Sequence, residues 1–474
     1  MSMRIRFLVP LALLVVGGCV DRGGWRPAPQ LAPEALHADH TLADARVDTT
    51  AWPQDAWWHA YGDPQLDSLV DQALAGSPSL QTAEARLRAA QAQAIAAHGA
   101  RLPTATLDAE VMRQRYPEDY LFPPPFAGSY VTDGRVALDF TYDLDFWGHN
   151  RALQAAARAG ERAAEADKAA ARLALAVAVV RAYVQLDLQY ALLDVTNDNL
   201  KQQESILDLT QQRVGAGLEN TARVKQSEGQ VALTRAGVAY VEGNIDLARN
   251  QLADLVGAGP DRGLQVTRPK LNPPAYLALP SVLPAELLGR RPDIVSARLQ
   301  VESAARGVKA AEAQFYPNVN LTAFIGFQSL GLSQLFDAGN HIVGGGPVLS
   351  LPVFNRDELR GALYTRQSQV DLSVAQYNQT LLDAVREVAD VVANWRALER
   401  ETRAQEAALE DAQRSYELTT DRYKAGLDNY LSVLSSQNQV LLAQGLRAEL
   451  QAQRLNYSVN LVRALGGGYL APAS

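Results

Sequence analysis

Residues 136–146 read VALDFTYDLDF, a stretch in which apolar and polar side chains alternate. The apolar positions are Val136, Leu138, Phe140, Tyr142, Leu144 and Phe146. The positions between them include Asp139, Thr141, Asp143 and Asp145. A period of two predicts a β-strand with one apolar face and one acidic face. A strand half-buried on a soluble core would alternate in the same way, but repeated acids on one face favour the water-filled lumen of a membrane barrel.

Three further segments alternate less sharply, at 104–111, at 319–328 and in a stretch that ends at 349–353. In the first of them, Asp108 and Glu110 fall on the polar side. We therefore predict that they line the same lumen as the four polar residues of 136–146. Segments of about 9–11 residues suit the tilted strands of a membrane barrel.

The number of strands predicts an assembly of several chains. Four strands cannot close a barrel, because the smallest membrane barrels have about eight. Two chains would supply about eight strands, and a barrel of that size is filled by its own side chains. Three chains would supply about twelve strands and leave a channel, so a trimer is favoured. No run of 18 apolar residues follows the N-terminal region, so we expect no membrane-spanning helix.

The chain contains an internal repeat. Pro78 and Pro292 are 214 positions apart, as are Pro103 and Pro317. A second series, 209 positions apart, pairs Arg213 with Arg422, Gly217 with Gly426, Leu218 with Leu427, Glu219 with Asp428, and Asn220 with Asn429. Each unit is predicted to run helix, strand, strand, long helix, helix, which makes the protein mainly α with a small β part. We place the first repeat at 63–257, a linker rich in Pro and Gly at 258–282, the second repeat at 283–467 and a tail at 468–474.

Two long helices are predicted, at about 150–213 and 358–424. At 1.5 Å per residue, each would be roughly 95–100 Å long. Apolar residues recur at intervals of three and four along both, which indicates coiled-coil packing. Each helix ends at a glycine, Gly217 or Gly426, because glycine adopts the left-handed conformation that a helix end requires. Asn220 and Asn429 are predicted to cap the helices that follow.

The N-terminus has the features of a bacterial lipoprotein signal. Residues 1–18 combine a basic start with a short apolar run and end in small residues, directly before the only cysteine, Cys19. We predict that Cys19 is acylated, that 19–62 is an extended lipidated segment, and that the protein resides in the outer membrane. A simple secretory signal with a chance cysteine is the alternative. A single cysteine also excludes disulfides within the chain.

Other classes of function find no support in the sequence. A net charge of −8 gives no basic surface for nucleic acid. The six histidines are scattered, and no catalytic or phosphate-binding motif is present. Acids spaced two apart on a strand are more typical of a lumen lining than of an acid pair or a cation site. We therefore expect no enzyme activity, no metal and no cofactor.

The chain resembles the TolC-like outer membrane factors, and most closely the lipoprotein branch that serves resistance-nodulation-division (RND) pumps. The resemblance covers nearly the whole mature chain and is most distinctive at LLGRRPDI, residues 287–294. It implies a homotrimer with a twelve-stranded β-barrel in the outer membrane lipid and an α-helical barrel in the periplasm. It also implies two partners, a periplasmic adaptor (membrane fusion protein) and an inner-membrane RND pump. The alternatives are a duct for type I protein secretion and a non-conducting coiled-coil scaffold.

The resemblance also assigns two sets of site residues. The adaptor-contacting tips are Gly217, Leu218, Gly426 and Leu427. The periplasmic gate comprises Arg422, Tyr423, Asp428, Tyr430, Ser432 and Ser435. Relatives often carry Asp in the gate segment, whereas this chain has serine at 432, 435 and 436. The alternative interpretation is that the gate residues are solvated helix faces.

The lipidation of Cys19 can be tested directly. Replacement Cys19→Ala should abolish acylation, because the thiol is the acceptor, and mass spectrometry of the purified protein would detect the loss. Unchanged acylation in the variant would contradict the prediction.

Overall fold

The computed structural model describes residues 24–32, 36, 52–119, 123–272 and 283–471, without the side chains of 283–286. Cys19, the predicted signal 1–18 and most of the predicted linker's second half therefore lie outside the described residues. The chain forms two compact units. The sheet unit contains Leu87–Ala164, Ala297–Tyr377 and the segment up to Gln30. The helical unit contains Leu31–Arg86, Glu165–Ser296 and Asn378–Ser474.

The elements follow one another in the order that the repeat predicts. The helices are α1 (Pro64–Gly76), α2 (Pro78–Gly99), α3 (His149–Gly215), α4 (Thr221–Leu255), α5 (Leu283–Arg290), α6 (Pro292–Ala313), α7 (Arg356–Lys424) and α8 (Tyr430–Ala464). The strands are β1 (Thr104–Arg115), β2 (Tyr130–Asp143), β3 (Asn318–Leu330) and β4 (His341–Ser350). Both α2-β1-β2-α3-α4 and α6-β3-β4-α7-α8 run helix, strand, strand, long helix, helix. The mainly α fold with a small β part is confirmed.

The four strands form one antiparallel sheet in the order β1-β2-β3-β4. In the register of β1 and β2, Thr106 lies opposite Asp139 and Glu110 lies opposite Arg135. Since side chains alternate along a strand, Asp108, Glu110, Asp139 and Thr141 share one face of the sheet. Arg135 and Asp139 form an ion pair on that face, with 2.8 Å between Nη2 and Oδ1.

The opposite face of the sheet is apolar and exposed. Exposed apolar side chains there include Leu107 at 73%, Val343 at 71%, Leu349 at 68% and Ile325 at 57%. An apolar face of this size would be unfavourable in water, whereas it suits contact with lipid. Phe324, which interrupts the alternation of β3, lies on the polar face over Gly344, where an added Cβ would come within 2.6 Å of its ring.

Asp145 lies beyond the end of β2, so the prediction that it belongs to this strand is wrong. The strand ends at Asp143. Asp145 has a positive φ of 44°, and its carboxylate accepts hydrogen bonds of 2.9 Å from the backbone nitrogens of Asn150 and Arg151. It therefore satisfies free N–H groups at the start of α3, a position that favours aspartate. Asp143 bonds to the same junction through the Nδ2 of Asn150, at 3.1 Å.

By length and composition alone, one helix in the described part of the chain, α3, could cross a membrane. Half of the most apolar 18-residue stretch of this helix is buried within the protein. Val179, Tyr183 and Leu186 of this helix are fully buried in the main core of the helical unit. They pack there with side chains of Trp57–Tyr61 and of α1, α4 and α8. A buried core helix explains the hydropathy without a membrane span.

The distinctive RRPD sequence organises a buried ion-pair cluster in the helical unit. Helix α6 begins at Pro292, as expected for proline in a first turn. The side chain of Arg291 is only 6% exposed and binds both oxygens of Asp293, at 3.1 and 2.6 Å. It also donates to Glu387 of α7 at 2.9 Å and to the carbonyl oxygen of Ala464 at 3.2 Å. One arginine thus ties the start of α6 to α7 and to the end of α8.

Two glycines of the sheet offer a matched test of strand packing. A Cβ at Gly326 would lie 2.2 Å from the carbonyl oxygen of Val136, whereas a Cβ at Gly346 meets nothing within 4 Å. We expect Gly326→Ala to destabilise the sheet by about 3 kcal/mol, because backbone must move to admit the methyl group. Gly346→Ala should be nearly neutral. The fraction of heat-modifiable folded protein in outer-membrane extracts measures both effects, and equal yields from the two variants would contradict the strand register.

Candidate functional site

The two long helices end in the same type of turn. At the first turn (Arg213–Asn220), the backbone N–H of Leu218 donates to the carbonyl oxygen of Arg213 at 2.9 Å, and that of Gly217 donates to Val214 at 2.9 Å. At the second turn (Arg422–Asn429), the equivalent bonds measure 2.8 and 3.0 Å. This pair of bonds defines a Schellman motif. The glycines have φ of 72° and 73°, which confirms the left-handed ends that the sequence predicts.

The helix that follows each turn is capped by asparagine, as predicted. The Asn220 side chain accepts from the backbone N–H of Arg223 at 3.2 Å, and Asn429 accepts from Ser432 at 3.1 Å. Each cap satisfies one of the free N–H groups of a first helical turn. The two turns therefore reverse the chain in a fixed geometry, without a long loop.

Each turn presents one large apolar side chain to solvent. Leu218 is 66% exposed and Leu427 is 69% exposed. A Cβ added at Gly217 or Gly426 would meet nothing within 4 Å. All four predicted tip residues thus lie at the surface of the two turns, with open space around the glycines.

Two of the predicted gate residues are core residues of the chain. Tyr423 is fully buried and Tyr430 is 1% exposed, and they pack with Ile206 and Val433. Their ring centroids are 6.5 Å apart in an edge-on arrangement. Neither buried hydroxyl has a hydrogen-bond partner in the part of the chain that the structure describes. The sequence alone could not separate these tyrosines from surface residues, because both lie at the ends of helices, where either position is possible.

Arg213, which the sequence analysis did not assign to the site, connects the two turns. Its guanidinium carbon lies 4.8 Å from the ring centroid of Tyr423, and its Nη1 donates to the carbonyl oxygen of Tyr423 at 3.2 Å. The side chain is 15% exposed and faces Glu219 at 3.9 Å. A cation over an aromatic face, with a charge-assisted hydrogen bond to the same residue, is a strong local contact. The equivalence of Arg213 with Arg422 in the repeat was the signal that could have identified it.

The equivalent arginine in the second turn is much more exposed, whereas the two acids differ little. Arg422 is 61% exposed and lies 3.3 Å from the carboxylate of Asp428. The backbone N–H of Asn429 donates to this carboxylate at 2.8 Å, and that bond together with the contacts of Ser432 and Arg422 lowers the pKa of Asp428. The stabilisation from a lowered carboxyl pKa is present at neutral pH and is lost as the pH falls through the folded-state value.

The three serines at 432, 435 and 436 have different environments. Ser435 is exposed and Ser432 is half-buried, whereas Ser436 is buried and donates to the carbonyl oxygen of Val433 at 3.0 Å. The structure therefore brings Arg422, Asp428 and Ser432 together at the second turn. Ser435 lies apart from them on the exposed side of α8.

A layer of buried amides lies in the same helical unit. Gln437 of α8 accepts from Gln203 of α3 at 2.9 Å and donates to Asn199 at 3.0 Å. Gln203 and Gln437 are almost completely buried. Asn199 falls on the coiled-coil stripe that the sequence predicts for α3, so this polar position is paired rather than solvated. Paired buried amides favour one register of helix packing, and here only the Oε1 of Gln203 lacks a partner among the described buried amide atoms of this layer.

The described residues contain no cluster of three or more His, Cys, Asp or Glu side chains that could hold a metal ion. The arrangement is one of exposed turns, ion pairs and a small aromatic core. Such a site can bind another protein surface and can change its packing.

Comparison with known proteins identifies the class to which this fold and site belong. The model of the outer membrane efflux protein family matches residues 69–258 and 283–467. The chain is 39% identical over 356 residues to the fusaric acid resistance protein FusA of Burkholderia cepacia, which covers 74% of this chain and 67% of FusA. It is 31% identical over 472 residues to the multidrug resistance outer membrane protein MdtP of Escherichia coli K12, covering 97% of this chain and 95% of MdtP.

Solved structures of outer-membrane channels match the fold. The outer membrane protein VceC of Vibrio cholerae superimposes with a TM-score of 0.82 at 38% identity, over 88% of this chain and all of VceC. The outer-membrane channel OprN gives a TM-score of 0.84 at 27% identity, over 94% of this chain and 98% of OprN.

The chain therefore belongs to the outer membrane efflux protein family. It is an outer-membrane channel that serves as the exit duct of an efflux system and extends into the periplasm. The resemblance to TolC-like factors and the predicted location are thus confirmed.

The contact between the two turns can be tested with a pair of equivalent arginines. We expect Arg213→Ala to weaken local packing around Tyr423 by about 2 kcal/mol, because it removes a hydrogen bond to a buried carbonyl and a cation–π contact. Amides of residues 421–433 should then exchange hydrogen roughly thirtyfold faster. Arg422→Ala should change exchange much less, since its ion pair is exposed and screened. Hydrogen–deuterium exchange measured by mass spectrometry would contradict this assignment if both variants behaved alike.

Proposed function

We propose that this chain assembles as a homotrimer and forms the exit duct of a tripartite RND-type efflux system. The four-stranded sheet supports this proposal, because β1 and β4 are its two edges and each has unpaired backbone groups along one side. Lipid offers no hydrogen bonds to such edges, so a sheet in a membrane must close on itself or on other copies. Three copies give about twelve strands, enough to leave a channel.

We propose that the two turns are the docking points for a periplasmic adaptor. Both turns expose a leucine at the same position of a rigid Schellman motif, Leu218 in the first turn and Leu427 in the second. Exposed apolar side chains on a fixed backbone are typical anchors for a protein partner. A trimer would present six such turns, three of each kind. The inner-membrane RND pump on the far side of the adaptor would supply the energy for export.

We propose that the second turn, with Arg422, Asp428, Ser432 and Ser435, lines the periplasmic gate. Its charged pair is exposed, whereas Tyr423 and Tyr430 provide the apolar packing behind it. Opening would move these helices against their neighbours. The two tyrosine hydroxyls, which lack a hydrogen-bond partner among the described residues, are groups that a shifted packing could satisfy. A gate with serines at 432 and 435 would rely on hydrogen bonds and packing rather than on an acidic ring.

Relatives of similar sequence carry names that refer to different compounds. FusA is named for fusaric acid resistance, MdtP for multidrug resistance, and OpmQ of Pseudomonas aeruginosa, 32% identical over 478 residues, for pyoverdine export. A duct shared by such different compounds need not bind any of them tightly. We therefore propose that the pump selects the substrate and that this chain provides a passive path for small toxic molecules.

The proposal is tested by complementing a deletion strain with tip variants. Gly217→Glu and Gly426→Glu should abolish resistance to the exported compounds, because a charged side chain with a strained backbone disturbs the docking points. Gly215→Glu is the matched control, since Gly215 also has open space but lacks a positive φ. Purified trimers of all three variants should conduct in planar bilayers as the wild type does.

The outcomes separate the parts of the proposal. Full resistance with Gly217→Glu and Gly426→Glu would remove the assignment of the turns as adaptor contacts. Wild-type trimers that are intact but conduct no ions under gate-opening conditions would overturn the duct itself. A purified mature protein that stays a water-soluble monomer would overturn the shared barrel.

A further inference from the structure

The loop between β3 and β4, residues 331–340, folds back onto the apolar face of the sheet; we refer to it as the capping loop. Gly134 of β2 lies two residues before Val136 and therefore faces the same, apolar side of the sheet. A Cβ at Gly134 would lie 2.9 Å from Cδ2 of Leu332 and 3.5 Å from Cδ2 of Leu335. Phe336 contacts Phe327 edge-on, with ring centroids 5.7 Å apart. Three apolar side chains of the loop thus lie over the end of the apolar face.

The capping loop extends that face rather than hiding it. Leu335 is 5% exposed and fills the space above the strands, but Phe336 remains 70% exposed and Leu332 50% exposed. The exposed side chains of Ile325 and Val343 lie nearby on the same face of β3 and β4. The loop surface is therefore continuous with the part of the sheet that faces lipid in an outer-membrane channel.

Part of the backbone of the capping loop is hydrogen-bonded within the loop, which lowers the cost of entry into an apolar medium. Leu332–Gln334 and Ala338–Asn340 form two short 3₁₀ turns. The N–H of Asn340 donates to the carbonyl oxygen of Asp337 at 2.9 Å, and its side-chain Nδ2 donates to that of Gln334 at 2.7 Å. The ring of His341 contacts the carbonyl oxygen of Ala338 at 2.8 Å.

The other hairpin loop at this end of the sheet differs in composition. The loop between β1 and β2 carries Glu118 and Asp119, both exposed, and the sequence Pro123-Pro124-Pro125. Its Glu118 pairs with Arg115 at 3.2 Å. The capping loop has a single charged residue, Asp337, between its two 3₁₀ turns. Both loops contain aromatic residues, but the capping loop has one carboxylate where the other loop has two, and it lacks proline.

We propose that the capping loop inserts Phe336 and Leu332 into the acyl-chain boundary of the outer leaflet, so that the lipid contact of the barrel extends beyond its strands. The occupant of this surface is lipid, because the loop prolongs a lipid-facing sheet and exposes the apolar side chains of Phe336 and Leu332 beside it. Asp337 then lies at headgroup level, where water reaches it. The loop would hold the rim of the barrel at a fixed depth in the membrane.

Spin labelling tests this placement. A nitroxide is attached to the full-length Phe336→Cys variant, and the labelled protein is reconstituted in phosphatidylcholine vesicles. The accessibility of the nitroxide to oxygen is then compared with its accessibility to a neutral nickel chelate. Oxygen concentrates in lipid and the chelate in water. Ile325→Cys on the lipid-facing strand and Asp119→Cys in the other loop are the two references. Wild-type protein carried through the same labelling is the blank, since Cys19 is the only native thiol.

The expected result is an oxygen-to-nickel ratio at 336 that is several-fold higher than at 119 and close to that at 325. A ratio equal to that at 119 would place the loop in water and overturn the proposal. A label shielded from both reagents would mean that a second copy of this chain covers the surface, which also overturns it. Heat-modifiability of each variant verifies folding, and Leu332→Cys provides a second position if Phe336→Cys fails to assemble.

Discussion

The open edges of the four-stranded sheet are the constraint on which the rest of this protein depends. Strands β1 and β4 each leave one row of backbone groups without a strand partner among the described residues, and the apolar face beside them is exposed. In lipid, each unpaired group is unfavourable by several kcal/mol. The sheet is therefore stable in a membrane only when other copies continue it.

The two repeats use the same local structures. Each repeat supplies two strands, one long helix and one turn. Both turns use glycine at a positive φ, both following helices use asparagine as a cap, and both place an arginine opposite an acid, at 3.9 Å in the first turn and 3.3 Å in the second. Because the two turns have the same backbone conformation, the helices of the two repeats can pack in equivalent ways. Differences between them are then differences of side chains.

Much of the fold could be predicted from the sequence, because period-two alternation and glycine turns are local signals. They gave the four strands, both long helices and the caps at Asn220 and Asn429. Asp145 was misassigned because the alternation of apolar and polar residues continues in the sequence past the end of β2. Its conformation is set instead by hydrogen bonds to the first turn of α3. The burial of Tyr423 and Tyr430 depends on packing between α3, α7 and α8, and no local pattern encodes it. The role of Arg213 is non-local for the same reason: its partner lies 210 residues away.

The site differs between the repeats through two aromatic residues. Tyr423 and Tyr430 occupy the positions that Val214 and Thr221 hold in the first repeat, 209 residues earlier. Their rings fill the space between the turns, and Arg213 lies over one of them instead of extending into solvent. Arg422 is the equivalent of Arg213. The residue of the first repeat that corresponds to Tyr423 is Val214, which offers no aromatic ring, and Arg422 is exposed. The same backbone motif therefore carries a sheltered cation in one turn and an exposed one in the other. A partner that docks on both turns would therefore contact two chemically different surfaces on the same backbone motif.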